Sequence, residues 1–340
     1  MKFLFTADWH LSKYSTDKID QESGLPEKLV GIKNSIYQMG NYCRENDIKN
    51  IVIAGDIFHG KSIIYAVALS ILIDYFRDFS DLHFYIFSGN HDLSGKSHDV
   101  ISALKSINEP NVTKFEVPTQ IENVLFVPYD AEKMISYILT HKCEYLISHF
   151  GLSEGTLSSG ISIISDISLR GLSNKYKTVL LGHYHVPQQI LSEKINMYYA
   201  GSPTQLDFGE RDQEKRFLIV DSKTHSIQSI LTEGYKKFYR FKITNENKDE
   251  VIKEALRLKE EGHYVDLEKN DIVNDLDEIS SSFRIIDKFE KDPTNRGISS
   301  SMTQIERIRK YLEIKNINPD NFEEYEKVAL QIINTCSEEM

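Results

Sequence analysis

Cysteine is scarce in this chain. Cys43, Cys143 and Cys336 are the three in 340 residues, far apart and without metal-type spacing. That excludes a disulfide scaffold and disfavours a cysteine-ligated zinc or an iron–sulfur centre, and it points to a reduced, cytoplasmic compartment. Long apolar runs are also missing. No stretch approaches the roughly 20 residues needed to cross a bilayer. The apolar opening Lys2–Ala7 is cut at once by Asp8, too early for the core of a secretion signal, so no membrane partner is expected. An excess of basic charge is lacking too, since the formal net charge is −11. Autonomous, sequence-independent DNA binding rests on Lys and Arg neutralising phosphates, so this is no general nucleic-acid coat. Phosphate chemistry stays open, because bound divalent cations can meet phosphate where side chains do not.

What is present is an α/β pattern. Strands are expected at Lys2–Ala7, Asn50–Ala54, Leu82–Ser88, Asn123–Val127, Glu144–Ser148, Thr178–Leu181, Met197–Ala200 and Phe217–Val220, each short and rich in Ile, Val, Phe or Tyr. Helices are expected at Leu29–Asn46, Ser62–Asp78, Asp99–Ile107 and Ala131–Leu139. The order implies helices packed outside a two-sheet sandwich over residues 1–235. From 236 to 287 a strand, a charged helix and a strand read as a small α/β cap. Lys288–Ser301 has a linker's Asp-Pro, Arg-Gly and serine run. Two tail helices, Met302–Glu313 and Asn321–Ile333, complete a helical segment over 288–340.

Five short motifs fall where strands end: Asp8-Trp9-His10, Gly55-Asp56-Ile57-Phe58-His59, Gly89-Asn90-His91-Asp92, Ser148-His149-Phe150 and Gly182-His183-Tyr184-His185. Alone, each is weak, since a Gly-Asp step is usually just a turn. Together they carry weight, because ligands of open α/β sheets gather at the carboxyl ends of strands. The i, i+2 spacing of Asp8 with His10, and of His183 with His185, puts each pair on one face of extended chain. Imidazole and carboxylate suit borderline divalent metals. Two such ions about 3.5–4 Å apart clamp a phosphate and activate water.

The order of these motifs resembles the calcineurin-like metallophosphoesterase superfamily. The GD-[IL]-F-H and GNHD forms, with Gly201-Ser202-Pro203 followed by Phe208-Gly209-Glu210, resemble its SbcD nuclease branch. The resemblance implies that Asp8, His10, Asp56 and His185 hold one metal. Asp56, Asn90, His149 and His183 would hold a second, with Asp56 bridging. It implies two Mn²⁺, with Mg²⁺ as a substitute, His91 as proton donor, and His59 as the residue that places a DNA end. Asp92 either orients a ligating histidine or caps its turn. The implied activity is 3′-to-5′ exonuclease on duplex ends and endonuclease on single-stranded or hairpin DNA, with a bacterial host's cytoplasm as the setting if the chain is phage-encoded.

DNA-backbone contacts are expected from Lys61, Lys96, Arg170, Lys175, Lys177, Arg211, Lys215 and Arg216, on loops near the motif-bearing ends. Ser62–Asp78 is apolar nearly all round, so it is either enclosed or a face for a second copy of the chain; the resemblance implies a homodimer helix. Apolar stripes in the tail (Ile305, Ile308, Tyr311, Leu312; Tyr325, Val328, Ala329, Ile332, Ile333) should dock on something. The resemblance makes that the coiled-coil base of an SbcC-type ATPase. Two rivals stand beside this reading: a small-molecule or cyclic-nucleotide phosphodiesterase, and an inactive scaffold of the same fold.

Overall fold

A computed structural model describes residues 1–340 other than 16, 96–100, 131–132, 158–164, 166, 271–272, 274–275, 277–280, 288–302, 315–317, 319–321, 324 and 330–340. The first part of the chain runs β1 (Lys2–Thr6), α1 (Glu27–Glu45), β2 (Asn50–Ala54), α2 (Ala66–Asp78), β3 (His83–Phe87), β4 (Leu93–Ser94), β5 (Ile101–Ser102) and β6 (Val112–Phe115). Then come β7 (Thr119–Ile121), β8 (Val124–Val127), α3 (Met134–Thr140), β9 (Tyr145–His149), α4 (Leu169–Leu172), β10 (Thr178–Gly182), β11 (Gln188–Leu191) and β12 (Asn196–Tyr199). The last part runs β13 (Arg216–Asp221), β14 (Ser226–Leu231), β15 (Phe238–Lys242), α5 (Lys248–Glu260), β16 (Tyr264–Lys269), β17 (Arg284–Asp287) and α6 (Gln304–Ile314).

Two six-stranded sheets dominate, in orders β14-β13-β1-β2-β3-β6 and β11-β12-β10-β9-β8-β7. In the first, β1, β2, β3 and the edge strand β6 run parallel and β13 and β14 add antiparallel at the other side; in the second, β12, β10, β9 and β8 are parallel and the edge strands β11 and β7 antiparallel. Strand periodicity explains three layers of core. Phe3 and Phe5 of β1 and Tyr145 and Ile147 of β9 meet between the sheets. Their alternates face outward: Leu4 joins Leu29, Ile32 and Ile36 of α1 and Leu72 and Phe76 of α2, while Leu146 joins Met134 and Ile138 of α3. Because the central strands are parallel, β1, β2 and β3 of one sheet and β9 and β10 of the other all deliver their carboxyl ends to one pole.

Two expectations about helices change. Asp99–Ile107 is not a helix where described: β5 leads into a short 3₁₀ turn, Ala103–Ser106, whose start is held by the Ser102 side chain accepting from the Leu104 N–H at 3.2 Å. Helix α2 begins at Ala66, later than Ser62, and buries one stripe, Ala68, Ile71, Leu72, Tyr75 and Phe76. That is the one-sided pattern of an amphipathic helix. The compact units are residues 1–241 with 250–266, and residues 242–249 with 267–340. This division differs from the expected boundaries at 235 and 287, since α5 falls almost wholly in the first unit. The expected linker, Lys288–Ser301, and much of the tail helix Asn321–Ile333 lie outside the described residues. Among the described residues, no helix is long and apolar enough to cross a membrane.

Candidate metal centre

The loops after β1 and β2 are zipped together by main chain. Asp8 N–H donates to Gly55 O at 3.1 Å, His10 N–H to Asp56 O at 3.0 Å and Leu11 N–H to Ile57 O at 2.8 Å. These bonds hold side chains in an uncommon backbone region. Asp8, His10, Asp56 and His183 have φ of +56°, +50°, +50° and +100°. Non-glycine residues with positive φ cost of order 1–3 kcal/mol each and cluster at functional sites. Space is as tight as conformation. A Cβ at Gly182 would lie 2.6 Å from His149 Nδ1 and 2.8 Å from the Ala7 Cβ, so only glycine lets β10 pass this close to its neighbours.

The seven expected metal residues converge. Asp8, His10 and His185 offer ligand atoms within 4.8 Å of one another, as do Asp8, Asp56 and His149. His10 Nε2 is 2.9 Å from His185 Nε2 and 3.8 Å from Asp56 Oδ2. On the other side, His149 Nε2 is 3.2 Å from Asp56 Oδ2, and Asn90 Oδ1 is 3.1 Å from His149 Nε2 and 3.0 Å from His183 Nδ1. Asp56 therefore stands between the two groups. The Asp8 carboxylate accepts the His183 N–H at 2.9 and 3.0 Å. Two carboxylates and four imidazoles, of which Asp8, His10, Asp56 and His149 are buried and His183 and His185 partly exposed, make a donor set that fits divalent metal.

Electrostatics follow from that crowding. Burial raises the Asp8 carboxyl. Burial would raise Asp56 as well, but the charge and hydrogen bond of His149 bring it below the usual carboxylate range. His149 resists the lowering effect of its own burial and is held at about 9 by Asp56. His183, buried and facing His149, drops to about 3, and burial with the charge of His185 lowers His10.

The ligand groups are held from behind, and this backing went unread in the sequence. His149 Nδ1 donates to Ala54 O at 2.8 Å, leaving Nε2 for the pocket. His185 Nδ1 donates to Glu210 Oε1 at 2.9 Å, which likewise turns Nε2 inward. A carboxylate or carbonyl behind a histidine is how metal sites fix ring orientation and tautomer. Glu210 is buried, held at about 2 against burial by its hydrogen bond from His185 and the charge of Lys215. Its Oε2 accepts from Lys215 Nζ at 2.6 Å, Leu206 N–H at 3.1 Å and Ser202 Oγ at 3.2 Å. The one signal available was the segment Gly201–Glu210 itself.

Several other expectations are corrected. Lys215 is buried and grips Glu210, His185 O at 2.8 Å and Gln213 Oε1 at 2.8 Å, so it touches no DNA phosphate. Of its two expected roles, Asp92 shows the capping of its turn. It accepts the N–H groups of Ile57 at 3.2 Å, Phe58 at 2.9 Å and Gly89 at 2.9 Å, stapling two motif loops, and burial with Asp56 nearby pushes it up to about 7. Lys177 and Lys175 precede β10, at the end of the sheet opposite the pocket, and Lys177 pairs with Glu144. Arg211 is half-buried, donating to Phe208 O at 2.8 Å, and Arg216 opens β13 with its guanidinium near Ser229 Oγ at 3.4 Å. Lys61 and Arg170 are exposed, and Lys96 lies outside the described residues. His91 and His59 sit at the mouth, ring centroids 5.8 Å apart. His91 Nδ1 donates to His59 O at 2.7 Å, and His59 Nδ1 lies 3.3 Å from His10 Nδ1.

The Calcineurin-like phosphoesterase family matches residues 1–208, well over half of the chain and all five motif loops. The chain belongs to this family. Similar members include exonuclease subunit 1 of Enterobacteria phage T4, 24% identical over 354 residues and covering 98% of both chains. The SbcD component of the SbcCD nuclease of Staphylococcus saprophyticus is 25% identical over 78% of this chain and 77% of its own. The protein of the same name from Bacillus subtilis is 24% identical over 72% and 73%. The likeness to the phage protein therefore runs beyond the phosphoesterase residues and through the 242–340 segment.

Proposed function

We propose that this phosphoesterase is a Mn²⁺-dependent DNA nuclease, the SbcD-type component of a complex with a coiled-coil ATPase, acting in a bacterial or phage-infected cytoplasm. The observation that carries the reading is the convergence of Asp8, His10, Asp56, Asn90, His149, His183 and His185 from five strand ends of two sheets. The names of the phage and bacterial relatives support the substrate. Asp8, His10, Asp56 and His185 would hold one ion and Asp56, Asn90, His149 and His183 the other. Bound there, two Mn²⁺, or Mg²⁺ in their place, supply Lewis-acid charge to the phosphoryl oxygens.

The chain's own groups do the rest. His91, fixed through Nδ1 to His59 O, keeps Nε2 for the proton that goes to the departing 3′ oxygen. His59, beside it at the mouth, would place the DNA end. Exposed apolar residues Ile305 and Tyr311 on α6, with Tyr325 and Val328, support a partner-binding tail. Ile63 and Tyr65, exposed just before α2, support the homodimer.

The test is cleavage of end-labelled hairpin and blunt duplex DNA in Mn²⁺, with Asp56→Asn as control. His91→Ala should abolish both activities, and His59→Ala should mainly damage exonuclease action. Turnover of bis-p-nitrophenyl phosphate without any DNA cleavage would replace this reading with a small-molecule phosphodiesterase.

A further inference from the structure

At the start of α1, Lys28 extends its ammonium among three aromatic rings. Nζ lies 5.7 Å from the centroid of Tyr14, 5.4 Å from Phe238 and 5.9 Å from Tyr264, and the last two rings stack on each other at 4.6 Å. The carboxylates nearby have other partners. Asp17 accepts the Lys28 backbone N–H at 2.6 Å and the Tyr264 hydroxyl at 2.9 Å, while Glu27 pairs with Lys236 at 2.6 Å. Among the described residues no carboxylate lies within ion-pair distance of Lys28 Nζ, so its charge is positioned without being neutralised. Aromatic faces hold a cation in this way while leaving it free to meet an anion.

The position matters as much as the charge. Tyr14 links this cage to the metal pocket: its hydroxyl donates to His10 O at 2.6 Å and its ring lies 6.0 Å from that of His59. Two exposed lysines flank the same side, Lys13 after His10 and Lys61 after His59, on loops joined by the His59 N–H to Leu11 O bond at 3.2 Å. The His59 side of the mouth is thus a cationic rim with one member fixed in place.

We infer that Lys28 binds a backbone phosphate neighbouring the one in the metal pocket, so that a polynucleotide runs past His59 and over the Tyr14–Phe238–Tyr264 cage. This rests on the nuclease reading and adds a substrate contact to it. A substrate with a single phosphate never reaches Lys28, whereas a strand does.

The experiment compares the full-length chain and Lys28→Met in Mn²⁺ on end-labelled duplex DNA and on bis-p-nitrophenyl phosphate. Methionine keeps an unbranched stem against the rings and removes the charge. The expected result is a loss of about tenfold in kcat/KM on DNA, the scale of one charge-assisted contact, with the small diester turned over as before. The salt dependence of DNA binding should weaken by about one unit of slope, and Lys28→Arg should retain cleavage. Unchanged DNA cleavage by Lys28→Met, or an equal loss on both substrates, overturns the inference while leaving the nuclease reading intact. Failure of the unmodified chain to cut DNA at all overturns the reading itself, and Lys28 with it.

Discussion

On the His149 side of the pocket the supports are main chain. The imidazole leans on Ala54 O at 2.8 Å, Asp56 Oδ1 accepts the His91 N–H at 2.8 Å, and Gly182 leaves room for nothing larger. On the His185 side the supports are side chains from much later in the chain, Glu210 braced by Ser202 and Lys215. One side is therefore specified within the short motifs that also supply its ligands. The other is assembled only by tertiary structure, through a buried ion pair. Such a pair is weak evidence for stability, because desolvation offsets much of the attraction. Its value here is orientation, since a charged acceptor behind His185 selects one tautomer and one ring plane.

The sharpest way to break that comparison is to remove what the sides share. Asp56 Oδ2 faces His10 at 3.8 Å and His149 at 3.2 Å. Asp56→Asn should lower Mn²⁺-dependent phosphodiester hydrolysis on the order of 1000-fold, the scale of several kcal/mol of lost charge stabilisation. A variant within tenfold of the parent would show that no carboxylate is shared. Glu210→Gln tests one side alone. By calorimetric titration with Mn²⁺, one of two binding steps should weaken about 10–100-fold and the other should hold. Equal weakening of both would mean the sides are not separable.

Protons offer a gentler probe. His149 in the metal-free pocket is held at about 9 by Asp56, well above the ordinary histidine value. Below pH 9 a metal must displace that proton, so affinity on this side should rise with pH up to about 9, roughly tenfold per unit, and then level. His185 is shifted in the same direction: burial opposes the shift, and its bond to Glu210 together with the charges of Asp8 and Glu210 outweighs it. Titrations at pH 7 in two buffers of different ionisation enthalpy should register proton release on loading. A buffer-independent heat would contradict the assignment of His149 as a ligand.

This division also explains what could be read from the sequence. The strand ends were legible because each motif is local, and the resemblance supplied the seven pocket residues. The i, i+2 spacing does not explain their convergence, since Asp8, His10 and His183 lie past their strands with positive φ rather than in extended chain. Glu210 was visible only as part of a turn, since nothing local says that a carboxylate 25 positions after a histidine will sit behind its ring. Lys215 misled because charge suggests exposure, and a buried lysine is recognised only once its partners surround it. The expected helix at Asp99–Ile107 failed because Ser102, extended and hydrogen-bonded to Ser88 Oγ at 2.6 Å, starts a tighter turn.

Lys177 is a different kind of miss, and it yields the smallest predicted effect. Polarity alone would have placed it correctly: β10 runs from Thr178 toward His183, so the residue before it lies a strand's length from the pocket. There it pairs with Glu144, which also accepts from Asn123 at 2.7 Å. Exposed pairs of this kind contribute little. Lys177→Ala should leave duplex cleavage within about twofold of the parent, because the contacts that steer a backbone act near the phosphate they hold and are screened beyond roughly 8–10 Å. A large loss in a cleavage assay would mean that DNA wraps to the far pole, and the pocket-mouth path past His59 would then have to be redrawn.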